Sequence, residues 1–176
     1  MTVRGTALLV GLLAALLGYL WFGEVRLSGS RARAKAVPAL LAVSPADVTR
    51  IDLEEHGRRL VAIRRDGRWL DVQGRPWRGD AVGDLLDTLG TLPPIMVVDP
   101  DPSEPGDYGI GPDTPRLRVM AARDKELLNL EIGERNPAWT GLYARLAGAR
   151  EVILVGAVLH WELEKLRDAA PEAENP

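Results

Sequence analysis

From Val48 onward, hydrophobic and polar residues alternate with a period of two. In VTRIDLEE (48–55), Val48, Arg50 and Asp52 fall on one side and Thr49, Ile51 and Leu53 on the other, the pattern of a half-buried strand. His56-Gly57 then predicts a turn, RLVAIRR (59–65) a second strand, Asp66-Gly67 another turn and RWLDV (68–72) a third strand. Asp-Gly between alternating runs is a strong hairpin signal, because both positions of the tight turn need positive φ. The period then lengthens. Val82, Leu85, Leu86, Leu89 and Leu92 form one helical stripe, which Asp80 can cap and Pro93-Pro94 ends. IMVVD (95–99) predicts a short buried strand.

The second half repeats the plan. PRLRVMAA (115–122) predicts a strand, 123–126 a turn, LLNLEIG (127–133) a strand, ERNPAWT a loop, GLYARL (141–146) a strand, 147–149 a turn and EVILV (151–155) a strand. A last helix follows over GAVLHWELEKLRDAA, with Val155, Leu159, Leu163 and Leu166 on one side. The expected fold is α+β: antiparallel meander-and-helix units, related by internal duplication, forming two sheets or one continuous sheet with two helices on one side.

Before this pattern lies a different one. GTALLVGLLAALLGYLWFG, Gly5 to Gly23, holds no charge. As a helix its 19 residues reach about 28 Å, close to a hydrocarbon core of about 30 Å. Tyr19, Trp21 and Phe22 cluster at its end, where aromatic rings favour the headgroup level. A transmembrane helix is the expectation. A cleaved signal peptide is the rival, with Ala34-Lys35-Ala36 as a small-x-small site, although that site lies far past the apolar run. The organisation is then a tail (1–4), the span (5–23), a linker (24–47), a first strand-helix unit (48–98), a Pro/Gly/Asp joint (99–115), a second unit (116–168) and an acidic tail (169–176).

Charge sharpens this picture. Residues 1–37 carry five bases and one acid, net +4, and the remainder 17 bases and 24 acids, net −7. A basic flank beside an apolar run points to a membrane surface, and the acidic remainder argues against nucleic acid. The basic residues after the span favour a cytoplasmic C-terminal side by the positive-inside count. A long domain behind an N-terminal apolar segment is more often exported, and an extracytoplasmic head is the expectation. Cysteine is absent, so a disulfide framework, a thiolate metal site, a cysteine nucleophile and a lipidated cysteine are all excluded.

Candidate chemistry is sparse. Asp99, Asp101, Ser103 and Asp107 alternate as in a calcium loop, but Glu104 and Ile110 stand where such a loop needs glycine and a bidentate glutamate. Three prolines stiffen the same stretch, so a stiff, solvated crossover is favoured. His56 and His160 have no ligand partners at metal spacing. The serines lie in linkers or loops, outside any nucleophile elbow. Glu54 and Glu55 must face opposite ways on a strand. Gly109-x-Gly111 lacks the rest of a dinucleotide fingerprint. Arg58, Arg59, Arg64 and Arg65, with Trp69 and Trp77 nearby, are expected to pair with Asp52, Glu54, Glu55, Asp66 and Asp71 in a mixed-charge, solvated sheet face. Trp69, Trp139 and Tyr143 are expected to pack in the core or at its rim. No catalytic, cofactor-binding or metal-binding residue is assigned.

The ordered series VTRIDLE, RWLDVQGRPW, GDAVGDLLDTLGTL, DYGIGPDTPRLRV, LEIGERNP, GLYAR and EVILV resembles the bacterial domain-of-unknown-function family 4340. The positions that carry the likeness are Trp69, Asp80, Leu86, Leu89, Tyr108, Gly109, Pro112 or Pro115, Gly133, Tyr143, Arg145 and Arg167. Ile110 departs from the leucine more usual there. The resemblance implies a membrane-anchored extracytoplasmic protein associated with gliding-motility-type ABC transporters, and it transfers no catalytic residue. The functional expectation is a non-catalytic accessory or scaffold protein whose partners are the membrane and ABC-type transporter subunits or other envelope proteins. A glycan- or lipid-binding module using Tyr108, Trp139 and Tyr143 is the alternative. An envelope hydrolase using Asp99 and Asp107 is the third reading. A reporter active only outside the cytoplasm, fused to the C-terminus, is expected to be active; silence with full expression would place the head in the cytoplasm.

Overall fold

The computed structural model of the chain describes residues 39–171, and two tight turns shape its first three strands. His56 and Gly57 (φ 49° and 75°) join β1 (Val48–Glu55) to β2 (Arg58–Arg65), and Asp66 and Gly67 (φ 50° and 76°) join β2 to β3 (Arg68–Leu70). Paired positive φ values match the twist of antiparallel strands, so the chain folds back in register. Then come α1 (Ala81–Thr91), β4 (Met96–Asp99), β5 (Arg116–Ala121), β6 (Lys125–Arg135), β7 (Gly141–Leu146), β8 (Val152–Gly156) and α2 (Val158–Ala169).

The strands form one eight-stranded sheet in the order β3-β2-β1-β5-β6-β7-β8-β4, with every neighbouring pair antiparallel. The fold is thus α+β, with a single sheet. β1 and β5 pair at its middle, so the two meanders meet edge to edge. β4 leaves the meander that precedes it and pairs with β8 at the far edge.

Both helices cover one face. Ile51 and Leu53 (β1), Leu117 and Val119 (β5), Leu128, Leu130 and Ile132 (β6), and Leu142 and Ala144 (β7) join Leu85, Leu86 and Leu89 of α1 and Leu159, Leu163 and Leu166 of α2 in one core. The core begins earlier than the alternation marks. Leu40 and Leu41 are buried, and their amides donate to the Leu92 and Leu89 carbonyls at 3.0 Å.

Several elements differ from the pattern reading. The segment expected as a buried strand is the exposed edge strand β4: Ile95, Met96 and Val97 are about half accessible, because only β8 covers them. Val155 belongs to β8 rather than to the last helix, which starts at Val158. Asp80 stands at the N-cap of α1, but its side chain makes no capping hydrogen bond. Among the described residues no helix is long and apolar enough to cross a membrane. The run with Gly5, Tyr19, Trp21, Phe22 and Gly23 lies outside them.

Residues 99–115 carry the chain from β4 at the edge to β5 at the middle. The crossing lies over the face opposite the helices, where Tyr108 meets Tyr143 of β7 edge-on at 5.1 Å. Ile110 is buried beside Gly133 of β6. Gly133 sits in a bulge between Ile132 and Arg135. A Cβ there would run into the Tyr108 carbonyl oxygen, so only glycine lets the crossover settle on the sheet. The joint is therefore a packed cover, seated by two side chains. Gly133→Ala is expected to cost about 1–3 kcal/mol. Gly111→Ala, whose Cβ meets open space, should stay within about 0.5 kcal/mol. Urea midpoints of the two variants check this.

Candidate functional site

The face opposite the helices carries a row of alternating charge. Cross-strand register places Arg59, Glu54, Arg116, Glu131 and Arg145 side by side on β2, β1, β5, β6 and β7. Opposite charges on directly facing positions stabilise a sheet, and like charges there would weaken it. Glu131 accepts from Arg116 at 2.8 Å and from Arg145 at 2.7 Å. Asp52, one pair further along β1, accepts from Arg50 Nε at 2.7 Å and also from Arg59. Arg118 bonds Glu54 at 3.2 Å.

Asp52 is only 1% exposed, and Glu131 is buried too. Burial alone would raise both carboxyls, but the hydrogen bonds and charges of their paired arginines outweigh it and hold both below the ordinary carboxylate range. They remain ionised and fully partnered, which suits a structural clamp and not proton transfer. The expectation of cross-strand pairing holds for Asp52 with Arg59. Glu55 instead reaches the helix side, where Arg167 of α2 grips it with two hydrogen bonds of 2.7 and 3.1 Å. Asp71 accepts from Arg75 within its own loop.

The residues of the crossover also hold one another. The Tyr108 hydroxyl donates to Asp99 Oδ2 at 3.1 Å, which raises its pKa. Asp99 Oδ1 accepts from the Asp101 amide, and Asp101 faces Arg150 at 3.5 Å. Among the described residues no three metal-ligating side chains converge. Trp69, on β3, packs against the core with Arg64 stacked 5.8 Å away.

Trp139 stands apart from this order. It is 70% exposed, against the expectation of core or rim packing. Its backbone is left-handed (φ 60°), a costly conformation for a bulky residue. Asn136 imposes it: its Oδ1 accepts from the Thr140 and Gly141 amides at 2.9 and 3.0 Å, and its carbonyl from Trp139 N at 2.9 Å. Arg135 lies between Trp139 and Trp161, 5.0 and 5.7 Å from the ring centres, on the helix side of the sheet. Trp139 is thus separated from the Tyr108–Tyr143 pair, which occupies the other face. Trp161 is 61% exposed, with His160 edge-on at 5.4 Å. Burial lowers the pKa of His160; Glu164, 3.1 Å away, opposes that shift, while Arg135 and Arg167 add to it. Among the described residues Arg135 has no ion-pair partner.

The edge strand meets this cluster. Gly141 pairs with Gly156, the Ala157 amide donates to Thr140, and Ile95 N donates to Leu154 at 2.7 Å. The loop of Trp139, the start of α2 and the start of β4 therefore share one corner. Six of the eight large apolar side chains exposed among the described residues belong to these three elements: Ile95, Met96, Val97, Trp139, Val158 and Trp161.

A family model described as a domain of unknown function, DUF4340, matches residues 71–170. The chain belongs to this family. The DUF4340 match takes in both helices, the crossover and β4 to β8, and leaves β1 to β3, with Trp69, before it. No curated protein and no solved structure matches the chain. Of the positions that carried the likeness, Gly133, Tyr108 and Tyr143 meet at the crossover, with Gly109 against Glu134 beside them. Arg145 and Arg167 clamp carboxylates, and Leu86 and Leu89 fill the core. Trp139, Arg135 and Trp161 were not singled out together, because 26 residues separate Arg135 from Trp161 and only strand register joins them.

The carboxylate clamps set a pH dependence. The folded-state values of Asp52 and Glu131 lie below their unfolded ones, so their stabilisation is complete above about pH 5 and is lost as the pH falls through about 4 and then through the folded values. Asp52→Asn with Glu131→Gln is expected to cost about 2–4 kcal/mol at neutral pH and to flatten the acid limb of stability, read as denaturation midpoint against pH.

Proposed function

We propose that the protein is a membrane-tethered, non-catalytic accessory subunit that acts by protein–protein contact, with the corner of β4, Trp139 and Trp161 as its docking surface. The observation that carries this reading is the exposure of that corner. Monomeric proteins rarely leave large apolar side chains clustered in the open without use, and tryptophan and arginine are among the residues most enriched at binding hot spots. The strained backbone of Trp139 supports it further, since a fold with free choice would let that ring pack. β4 adds an edge with backbone groups open to pairing, and nothing charged blunts it before Asp99.

The tether is residues 5–23, and the head lies on the extracytoplasmic side. The partner proposed is a subunit of an ABC-type transporter of the gliding-motility kind, or another envelope protein, on the strength of the family resemblance. A photo-crosslinking residue at Met96 or Trp161, in native membranes, is expected to capture one transporter subunit. The same residue at Leu146, at the far end of β7, is expected to capture none. Trp139→Ala with Trp161→Ala should abolish capture and leave the thermal midpoint nearly unchanged. Equal capture from Leu146 and from Met96 or Trp161, or none from any of the three, refutes the reading.

A further inference from the structure

The other edge of the sheet is only partly covered. β3 pairs with β2 only at Ile63, Arg64 and Arg65. The two-residue turns on either side of β2 set which backbone groups point where: residues 58, 60, 62 and 64 bond β1, and 59, 61, 63 and 65 face β3. Beyond β3 no strand pairs with the main chain of Arg59 and Val61; Arg59 is exposed, Val61 is largely buried, and both line a cleft. That cleft, of about 250 Å³, is walled by Leu60, Val72, Trp77 and Pro171. The 71–75 loop leaves the gap open because it bonds to itself. Asp71 Oδ1 accepts from the Gln73 and Arg75 amides at 2.9 and 2.8 Å, and Asp71 N donates to the Arg75 carbonyl at 2.9 Å.

The rim of the cleft is cationic. Arg58 is exposed and has no ion pair among the described residues. Arg59 shares Asp52 with Arg50, so one carboxylate serves two guanidinium groups. Asp71, the carboxylate that lines the cleft, is spent on its own loop and on Arg75. The indole N–H of Trp77, buried in the wall, finds no acceptor among the described residues.

We infer that this gap receives an acidic peptide segment of a partner protein, added in extended form to β2 in line with β3. Main-chain bonds to Arg59 and Val61 would supply affinity; on the charged face acidic side chains would meet Arg59, and on the other face apolar ones would enter the wall of Trp77, Leu60 and Pro171, with Arg58 adding positive charge at its end. This site is separate from the β4 corner and stands whether or not that corner docks a transporter.

The test uses the full chain in detergent micelles and an acetylated, amidated hexapeptide of alternating valine and glutamate. That peptide is expected to bind about tenfold or more tightly than its lysine counterpart, and N-methylation of the amides that face β2 should weaken it about tenfold or more. Hydrogen exchange at the Arg59 and Val61 amides should slow about tenfold or more on binding, and Arg58→Glu should weaken binding with an unchanged thermal midpoint. Undiminished binding of the N-methylated peptide, competition by free glutamate at equal concentration, or no change in exchange at Arg59 and Val61 each overturns strand addition. The same titration on a chain ending at Pro171 separates a partner from Glu172 and Glu174 of the chain itself. Similar affinity fits a partner strand, and binding that emerges only after truncation overturns it.

Discussion

The pairing of β1 with β5 is the contact on which the rest of the molecule depends. Ile51 faces Val119 and Leu53 faces Leu117, so both meanders offer their apolar side to the same helices. A slip of one residue would turn those side chains outward and bring Asp52, Glu54, Arg116 and Arg118 into the core. The register therefore decides the core and the charge row together. It also explains why so many arginines are tolerated on one face: Arg59, Arg116, Arg118 and Arg145 each bond a carboxylate that another strand supplies, and Arg50 bonds Asp52 of its own strand.

That arrangement protects the middle of the sheet and leaves its two edges unequal. The charged face is covered on the β6–β7 side by the crossover, where Gly133 admits the Tyr108 backbone, and on β1 the buried Asp52 is bonded by Arg50 and Arg59. At the β4 edge the crossover begins only after three apolar residues have passed uncovered. At the β3 edge the strand stops too early to cover β2. Proteins usually blunt such edges with charge, proline or a covering segment. Their incomplete covering here is the ground on which both docking proposals stand.

What the chain determined by itself is local. Alternation marked β1 to β3 and β5 to β8, His56-Gly57 and Asp66-Gly67 marked the turns, and the leucine stripes marked both helices, because each of these depends on neighbours a few residues away. The ordered motifs around Tyr108-Gly109, Gly133 and Arg145 were enough to place the chain in its family. Tertiary structure alone decided that β4 swaps to the far edge and is exposed, that Asp52 and Glu131 are buried between arginines, and that Arg135 stands between Trp139 and Trp161. An apolar run such as IMVVD reads alike whether one neighbour or two cover it, and a tryptophan reads as core unless its backbone is known to be held outward. Burial and partnership at those positions are set by which strands lie side by side, and strand order is a property of the whole fold that no local pattern encodes.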